Sequence, residues 1–379
     1  MYMNTEKNIV RNVQEGEKMK IAIVCDWLTN MGGAEQVVIN FKEIFKDAPI
    51  YTTFYNPDKL DKKLQNIDVR TCFLQKKKVI ENHKKYYPLM PLAFENFDLN
   101  EYDVVLSSSS SCAKGVLTKP GSIHVCYCHT PMRYAWEKRE EYIEGMGKIK
   151  RRLIKILLHY MRIWDVASAN RVDYFIANST EVQKRIQKHY KRDAVVINPP
   201  VRCSLFNIAE KDGDYYLVLS RLVKYKRFDL AVQACSQLGK KLIVIGDGPE
   251  REKLEKMAGD SVTFLGRQPD EVVQKYMSEC KALLFPGEED FGIVPVEAQA
   301  CGRPVIAYGK AGVLDSVIDG KTGVFFKEQN VESVKDAILR FEQMEFNKEE
   351  IRQHALKFDE SEFQRKIKEF IERKINDNM

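Results

Sequence analysis

Short apolar runs rich in β-branched residues alternate with amphipathic helical segments along most of the chain. In the first half, strands are predicted at residues 20–25, 49–54, 103–106, 122–128 and 172–177. After Pro199-Pro200, the same alternation predicts strands at residues 215–219, 241–245, 262–265, 282–285 and 304–307. Two successive strand–helix arrays predict an α/β protein with two doubly wound, Rossmann-like domains.

The domain boundaries are placed where this alternation stops and restarts. We predict a flexible N-terminal extension at 1–18, a first domain at 19–205, a second domain at 206–355, and a C-terminal helix at 356–379. The helix carries apolar residues from Phe363 to Ile371 on one face, so we expect it to cross back and cover the first domain. The extension has no such pattern and lacks the apolar core of a signal peptide.

Composition excludes several classes of protein. With 379 residues, of which 44% are hydrophobic and 30% charged, the chain is neither disordered nor collagen-like. Its net charge of +6 is too balanced for a dedicated nucleic-acid binder, but it suits an anionic ligand or membrane surface. No run approaches the roughly 18 to 20 apolar residues of a membrane span. We expect a cytoplasmic protein, peripheral on the inner face of the cell membrane if it binds lipid.

The nine cysteines are too sparse in a chain of this length for a disulfide framework, and we predict buried free thiols. The run from His124 to His129 also contains Cys126 and Cys128, which could suggest a metal site. In a strand these two cysteines lie roughly 7 Å apart, too far for thiolates that share one zinc ion with Zn–S bonds of about 2.3 Å. We expect neither a metal nor a cofactor.

Gly32 and Gly33 follow the first predicted strand and open a helix. Backbone amides at such a helix start can bind a phosphate or a sugar. The motif lacks the third glycine of a dinucleotide-binding fingerprint, and an ordinary strand-to-helix turn is the alternative.

Four cations follow the first strand of the second array, in residues 220–227, and two of them are Arg221 and Lys226. The carboxyl ends of parallel strands are where open α/β sheets bind ligands. Arginine can bind phosphate oxygens through two hydrogen bonds, and lysine adds a point charge. The alternative is a solvated basic loop.

Two carboxylates, Glu289 and Glu297, follow another predicted strand, where a loop turns into a helix near Gly292. A carboxylate offers several acceptor sites, so each of them could bind vicinal hydroxyls. Acidic residues at helix starts are also ordinary capping residues, but this does not explain Glu297, which lies deeper in an apolar helix.

Together these motifs, with the turn Gly246-Asp-Gly-Pro249, resemble the retaining GT-B glycosyltransferases of family 4. The resemblance covers about residues 19–375 and implies two Rossmann-like domains that face a cleft. It also implies that no metal is needed, because the basic loop neutralises the donor diphosphate. A sugar-nucleotide epimerase on a similar scaffold is the enzymatic alternative.

The resemblance assigns roles residue by residue. Arg221 and Lys226 would hold the diphosphate of the donor, and Glu297 would hold its ribose. Glu289 and His129 are the implied catalytic residues beside the transferred sugar. The remaining implied donor-binding residues are the backbone at Gly32, Gly33, Phe291 and Gly292, and Gly266 and Arg267 near the nucleobase.

Residues Cys128 to Trp136 also resemble the branch of this family that contains the O-antigen mannosyltransferases similar to WbaZ. This implies a GDP-mannose donor and a glycan or lipid-linked acceptor in lipopolysaccharide or other surface polysaccharide synthesis. A UDP- or dTDP-sugar donor stays open, since related enzymes use other sugars on the same fold. No nucleic-acid partner is expected.

The segment from Lys148 to Arg162 contains six Lys or Arg residues and no acidic residue. A basic amphipathic helix of this kind can lie on an anionic membrane surface. It can equally be a domain helix with a cationic outer face. A non-enzymatic protein that binds anionic ligands at a membrane surface is the corresponding alternative function.

Overall fold

The computed structural model describes residues 19–76, 79, 80 and 83–378, without the side chains of residues 83–85. The predicted extension at 1–18 lies outside the described residues. The chain divides into two units. The first comprises Met1–Asn178, Val182–Ile197 and Phe363–Met379, and the second comprises Ser179–Glu181 and Asn198–Glu362.

The first unit is built on a seven-stranded parallel sheet with the order β3-β2-β1-β4-β5-β6-β7. Its strands are β1 (Ile21–Cys25), β2 (Ile50–Thr52), β3 (Val69–Thr71), β4 (Val104–Ser109), β5 (Ile123–Cys128), β6 (Tyr174–Ala177) and β7 (Ala194–Val196). At the centre of the sheet, Ile23 lies opposite Ile50 on one side and Leu106 on the other. These strands are apolar on both faces because helices cover both sides of a doubly wound sheet.

Helices connect these strands. They are α1 (Gly33–Ile44), α2 (Met90–Glu95), α3 (Arg139–Ile143), α4 (Lys148–Ala169) and α5 (Thr180–Tyr190). In α1 the apolar face contains Val37, Val38 and Phe41, all fully or almost fully buried against the sheet.

The second unit has a six-stranded parallel sheet with the order β10-β9-β8-β11-β12-β13. Its strands are β8 (Tyr216–Leu219), β9 (Leu242–Ile245), β10 (Val262–Gly266), β11 (Ala282–Phe285), β12 (Val305–Tyr308) and β13 (Gly323–Phe326). Its helices are α6 (Phe228–Leu238), α7 (Arg251–Met257), α8 (Asp270–Glu279), α9 (Ile293–Ala300), α10 (Val313–Ser316), α11 (Val331–Phe341) and α12 (Lys348–Ala355). The predicted fold class, α/β with two Rossmann-like domains, is confirmed.

The last helix, α13 (Glu360–Asp377), places its apolar face in the core of the first unit. Phe363 is 2% exposed, and its ring stacks on Phe41 with ring centres 6.0 Å apart. The edge of Tyr127, from β5, meets the same ring at 5.7 Å. Burial of several aromatic and aliphatic side chains therefore holds this helix against the first sheet.

The division between the units falls between Ile197 and Asn198, earlier than the predicted boundary after residue 205. The reason is a backbone pairing inside the second unit. The amide of Val201 donates to the carbonyl of Phe358 at 2.9 Å, and the amide of Glu360 donates to the carbonyl of Val201 at 3.1 Å. This pairing also extends the second unit to Glu362, beyond the predicted end at residue 355.

A buried ion pair fixes the inner face of α4. The ammonium of Lys114 contacts the carboxylate of Asp165, and their side chains are 2% and 0% exposed. Asp165 also accepts hydrogen bonds from Trp136 Nε1 at 2.7 Å and from the Tyr190 hydroxyl at 2.9 Å. Because breaking a buried pair leaves an uncompensated charge, at a cost of about 3 to 5 kcal/mol, this pair strongly constrains how α4 packs.

All nine cysteines are free thiols, and only Cys72 is partly exposed. None of the helices in the described residues combines the length and the apolar composition that crossing a membrane requires.

Replacing Phe363 with alanine should destabilise the first unit by about 3 to 5 kcal/mol, because it removes a buried ring and leaves a cavity. Urea denaturation followed by tyrosine and tryptophan fluorescence would measure this change. Phe73→Ala is the matched control, since Phe73 is 50% exposed and should change the unfolding free energy by less than about 0.5 kcal/mol. An equal effect of the two substitutions would contradict the packing of α13.

Candidate functional site

The polar residues of the second unit gather where the strand order of its sheet reverses. β8 is the first strand of this sheet, and it lies between β9 and β11. Arg221 and Lys226 follow the carboxyl end of β8, and Glu289 follows the carboxyl end of β11. Loops that leave adjacent parallel strands in opposite directions open a crevice at this point, which is the usual ligand site of open α/β sheets.

Lys226 and Glu289 form an ion pair in this crevice. The Lys226 side chain is only 10% exposed, and its ammonium also lies 5.6 Å from the centre of the Tyr225 ring. Arg227, with a left-handed φ of 53°, ends the short turn that presents Lys226 and leads into α6. Arg221 is exposed and makes no hydrogen bond or ion pair with any residue that the structure describes.

The loop that carries Glu289 is braced by backbone contacts. The amide of Gly312 donates to the carbonyl of Glu289 at 3.0 Å, and a Cβ at Gly312 would lie 2.1 Å from the carbonyl oxygen of Asp290. Gln329 Nε2 donates to the carbonyl of Pro286 at 2.9 Å. Gly312 therefore has to lack a side chain, and the position of Glu289 depends on this close approach.

Gly292 precedes α9 with a left-handed φ of 89°, and the first amides of that helix have no acceptor within the helix. Phe291 is 3% exposed and packs on Phe358 with ring centres 5.6 Å apart, which anchors the loop. Amides at a helix start favour negatively charged or electron-rich ligand atoms.

Glu297 lies on the second turn of α9. Burial raises the pKa of this carboxyl to about 7, the nearby Asp270 raises it further, and Arg202 opposes both effects. Near neutral pH a larger share of the Glu297 side chains is therefore protonated than for an ordinary glutamate. A carboxylate held in this way keeps unused acceptor capacity, which suits the hydroxyls of a ligand.

The glycine turn after β9 packs against the loop that carries Arg221. A Cβ at Gly246 would lie 1.9 Å from the carbonyl oxygen of Ser220, and one at Gly248 would lie 2.3 Å from that of Leu222. Gly266, at the end of the neighbouring strand β10, has a φ of 68° and precedes the exposed Arg267. Seven of the eight predicted residues of the second unit thus lie at the carboxyl edge of its sheet, and the eighth, Glu297, lies on the second turn of α9.

The first unit has a corresponding crevice between the carboxyl ends of β1 and β4, where its own strand order reverses. Here a pocket of about 240 Å³ is lined by Cys25, Asp26, Trp27, Leu28, Gly33, Ala34, Glu35, Val38, Ser108, Ser110 and His129. Gly33 and His129 were predicted from the sequence, and Gly32 precedes α1 as its N-cap residue.

His129 is held by a hydrogen bond of 2.8 Å between its Nε2 and the Ser108 hydroxyl. Burial lowers the pKa of His129 to about 4, so the imidazole is neutral at pH 7. A neutral imidazole can offer its other nitrogen, Nδ1, to a ligand as a hydrogen-bonding group without adding charge.

Two carboxylates of this pocket were not predicted as functional residues. Asp26 accepts hydrogen bonds from the amides of residues 110–113, at distances of 2.6 to 2.9 Å. Glu35 is 8% exposed and is the third residue of α1. The position of Asp26 directly after a buried strand and the spacing of Glu35 from Gly32 were the patterns that could have identified them.

Among the described residues, no three His, Cys, Asp or Glu side chains are arranged to hold a metal ion. Asp212 and Asp214, which form an Asp-X-Asp motif, are instead paired with basic side chains, Asp212 with Arg303 and Lys348 and Asp214 with Lys281.

Comparison with known families shows to which protein family the chain belongs. The profile of Glycosyltransferase Family 4 matches residues 31–205, and that of Glycosyl transferases group 1 matches residues 206–358. The chain is a glycosyltransferase of the family 4, group 1 type. The two profiles meet between residues 205 and 206, within the segment that the structure assigns to the second unit.

Individual relatives match shorter parts of the chain than the two family profiles do together. An uncharacterized glycosyltransferase of Methanocaldococcus jannaschii, MJ1178, is 31% identical over 173 residues, which are 44% of this chain and 49% of that protein. The GDP-mannose-dependent alpha-(1-6)-phosphatidylinositol monomannoside mannosyltransferase of Mycolicibacterium smegmatis is 31% identical over 145 residues, 34% of this chain and 38% of that protein. The chain thus spans less than half the length of either relative.

Solved structures agree in fold. Anabaena HepE in complex with UDP and glucose has a TM-score of 0.67 at 19% identity, over 93% of this chain and 99% of HepE. The lipopolysaccharide outer core galactosyltransferase WaaB, in its apo form, has a TM-score of 0.68 at 18% identity, over 94% of this chain and 100% of WaaB. These similarities show the GT-B fold.

Glu297→Gln should raise the melting temperature by a few degrees at pH 8, and the gain should shrink as the pH falls toward 4. The folded-state pKa of about 7 exceeds the ordinary glutamate pKa of about 4.3, so the folded protein loses stability as the pH rises between these values. Thermal unfolding measured by circular dichroism from pH 4 to pH 8 would test this.

The matched control for this measurement is Glu271→Gln, which changes an exposed carboxylate of the same unit. It should shift the melting temperature equally at all pH values. A Glu297→Gln variant that behaves in the same way would show that burial does not raise the pKa of Glu297.

Proposed function

We propose that this glycosyltransferase transfers a hexose, mannose from GDP-mannose, to a lipid-linked glycan acceptor with retention of the anomeric configuration. The reaction would serve bacterial surface polysaccharide synthesis at the inner face of the cell membrane. The observation that carries the proposal is the cluster of Arg221, Lys226 and Glu289 where the strand order of the second sheet reverses.

In the proposed complex, Arg221 and Lys226 bind the donor diphosphate. Arg221 has no ion-pair partner among the described residues, so its guanidinium can form two hydrogen bonds to phosphate without breaking others. Lys226 has three donor hydrogens, so it can bind phosphate while keeping its contact with Glu289. Gly266 and Arg267 lie beside the nucleobase in this assignment, and Glu297 binds the ribose hydroxyls.

Glu289 and the backbone amides of Phe291 and Gly292 then bind the transferred sugar. The acceptor hydroxyl oxygen attacks the anomeric carbon on the face from which the phosphate leaves. The bond from that carbon to the phosphate oxygen breaks, its electron pair goes to the phosphate, and the hydroxyl proton is transferred to the phosphate as well. Arg221, Lys226 and the helix amides stabilise the charge that develops on the leaving group. His129 and the backbone at Gly32 and Gly33 are the contributions that we assign to the first unit.

The choice of GDP-mannose is supported by the residues Cys128 to Trp136 and by the GDP-mannose-dependent relative from Mycolicibacterium smegmatis. HepE, by contrast, was solved with UDP and glucose. Thermal shifts with GDP-, UDP-, dTDP- and ADP-sugars would separate these donors, because a ligand at 100 times its dissociation constant stabilises a protein by about 2.7 kcal/mol. Stabilisation by a UDP-sugar and not by GDP-mannose would overturn the proposed donor.

The proposed membrane contact rests on the exposed face of α4. Five apolar side chains on this face are at least half exposed and follow each other at helical spacing: Ile149 (81%), Leu153 (62%), Ile156 (50%), Tyr160 (64%) and Ile163 (55%). Exposed basic residues, among them Lys148, Lys150 and Arg152, flank this row. An apolar row beside cations matches the acyl chains and anionic headgroups of a bilayer surface.

Arg221→Ala and Lys226→Ala should each lower donor-dependent turnover by at least about tenfold, because a charge-assisted hydrogen bond to phosphate is worth about 1.5 to 3 kcal/mol. Calorimetry with the nucleoside diphosphate alone should show weaker binding by a similar factor. Lys256→Ala is the control, since this lysine is 74% exposed on α7. Unchanged nucleotide affinity in both site variants would refute the assignment of the diphosphate site.

The protein should bind vesicles that contain phosphatidylglycerol more strongly than pure phosphatidylcholine vesicles, and binding should weaken as salt screens the charges. The double variant Lys150→Glu, Arg152→Glu should lose this binding in a flotation assay while its nucleotide affinity stays unchanged. The variant Lys59→Glu, Lys62→Glu makes the same change of net charge at exposed residues elsewhere in the first unit. Equal loss in both double variants would mean that α4 has no specific role.

A further inference from the structure

The pocket of the first unit is small and well defined. Its volume of about 240 Å³ lies below the roughly 300 Å³ at which pockets begin to hold a whole small ligand. It opens where the loops after β1 and β4 separate, beside His129. A pocket of this size fits one part of a sugar rather than a nucleotide.

Glu35 is a carboxyl group in this pocket to which the proposed function gives no role. Its side chain is only 8% exposed, and its Oε2 would lie 3.0 Å from a Cβ at Gly32, so the carboxyl is turned toward the start of α1. Burial raises the pKa of Glu35 to about 7, its own amide opposes this shift, and the charge of Asp26 adds to it. A bond to one amide leaves most of the acceptor capacity of a carboxylate unused.

The other groups around Glu35 restrict what can bind there. None of the residues that line the pocket is a lysine or arginine, and Asp26 adds a negative charge, so a phosphate is disfavoured. The oxygens of Asp26 are already occupied by four amides, and no metal-binding group exists among the described residues. A neutral hydroxyl fits instead, because it can donate to a carboxylate and accept from an imidazole.

We propose that Glu35 binds a sugar hydroxyl in this pocket, with its carboxylate accepting the hydroxyl hydrogen next to His129. This inference rests on the proposed function, since it assumes that a sugar is bound. Two sugars can supply the hydroxyl, the transferred sugar of the donor and the terminal sugar of the acceptor. The chemistry is the same for both, and the experiment distinguishes them.

A carboxylate at the third position of a helix also caps the helix start, so the test has to preserve that role. Glu35→Gln does so, because glutamine keeps the length and can still accept a hydrogen bond from the backbone. A second variant, Ala34→Met, fills the pocket from the same helix with a residue that also favours helices. Asp58→Asn changes an exposed carboxylate of the first unit and is the matched control.

Steady-state kinetics would be measured for both substrates, together with calorimetric binding of the nucleotide sugar and of the nucleoside diphosphate alone. If the hydroxyl belongs to the donor sugar, both pocket variants should raise the donor KM at least about tenfold and weaken binding of the nucleotide sugar but not of the diphosphate. If it belongs to the acceptor, the acceptor KM should rise by a similar factor and both donor affinities should stay unchanged. Either result supports the inference.

Unchanged KM values for both substrates would overturn the inference. A lower melting temperature together with a loss of kcat alone would also overturn it, because this result would indicate that Glu35 only caps the helix. Failure of the proposed function would look different. In that case the wild-type protein would bind no nucleotide sugar and transfer no sugar, whatever residue stands at position 35.

Discussion

The hydrogen bonds of the Asp26 carboxylate join the two central strands of the first sheet, and much of that unit depends on them. Asp26 directly follows β1, and the four amides that it binds follow directly after β4. The turn shaped by these bonds presents Lys114 to Asp165, which fixes α4. Ser108, shortly before the turn, holds His129. Burial raises the pKa of Asp26, and the hydrogen bonds from the amides offset part of this desolvation. The same carboxylate therefore links the pocket, His129 and α4 through one turn.

In the second unit, glycines fix the positions of the loops. Its loops at the carboxyl edge approach one another so closely that any side chain at Gly246, Gly248 or Gly312 would collide with a backbone oxygen. Backbone packing of this kind leaves these loops few alternative conformations. It therefore restricts the positions of Arg221 and Glu289. The loops that carry the charges in the crevice are therefore held by surrounding main chain.

The sequence predicted the central strands well because their apolar runs are continuous on both faces, as in Leu242–Ile245. In the described residues it missed β3, β7 and β13, which all lie at sheet edges. β3 and β7 have three residues each and no fully buried position, so residues such as Val69 to Thr71 do not stand out from the loops. β13 is mostly buried, but it has only four residues. The family resemblance named site residues in loops that the structure places at the carboxyl edges of the two sheets. It could not show that Lys226 contacts Glu289 or that Glu35 is buried, because both facts depend on side-chain packing between distant segments.

The placement of α13 has a consequence for biosynthesis. Phe363 to Ile371 complete the core of the first unit, although the entire second unit separates them from it in the chain. During translation, which proceeds at about 5 to 20 residues per second, the first unit must wait for this segment with part of its apolar core uncovered. Apart from Ser179–Glu181, the second unit is one continuous segment, Asn198–Glu362, so it can fold earlier. The unit that begins first on the ribosome is thus the one completed last, and this interval is when chaperones would be most needed.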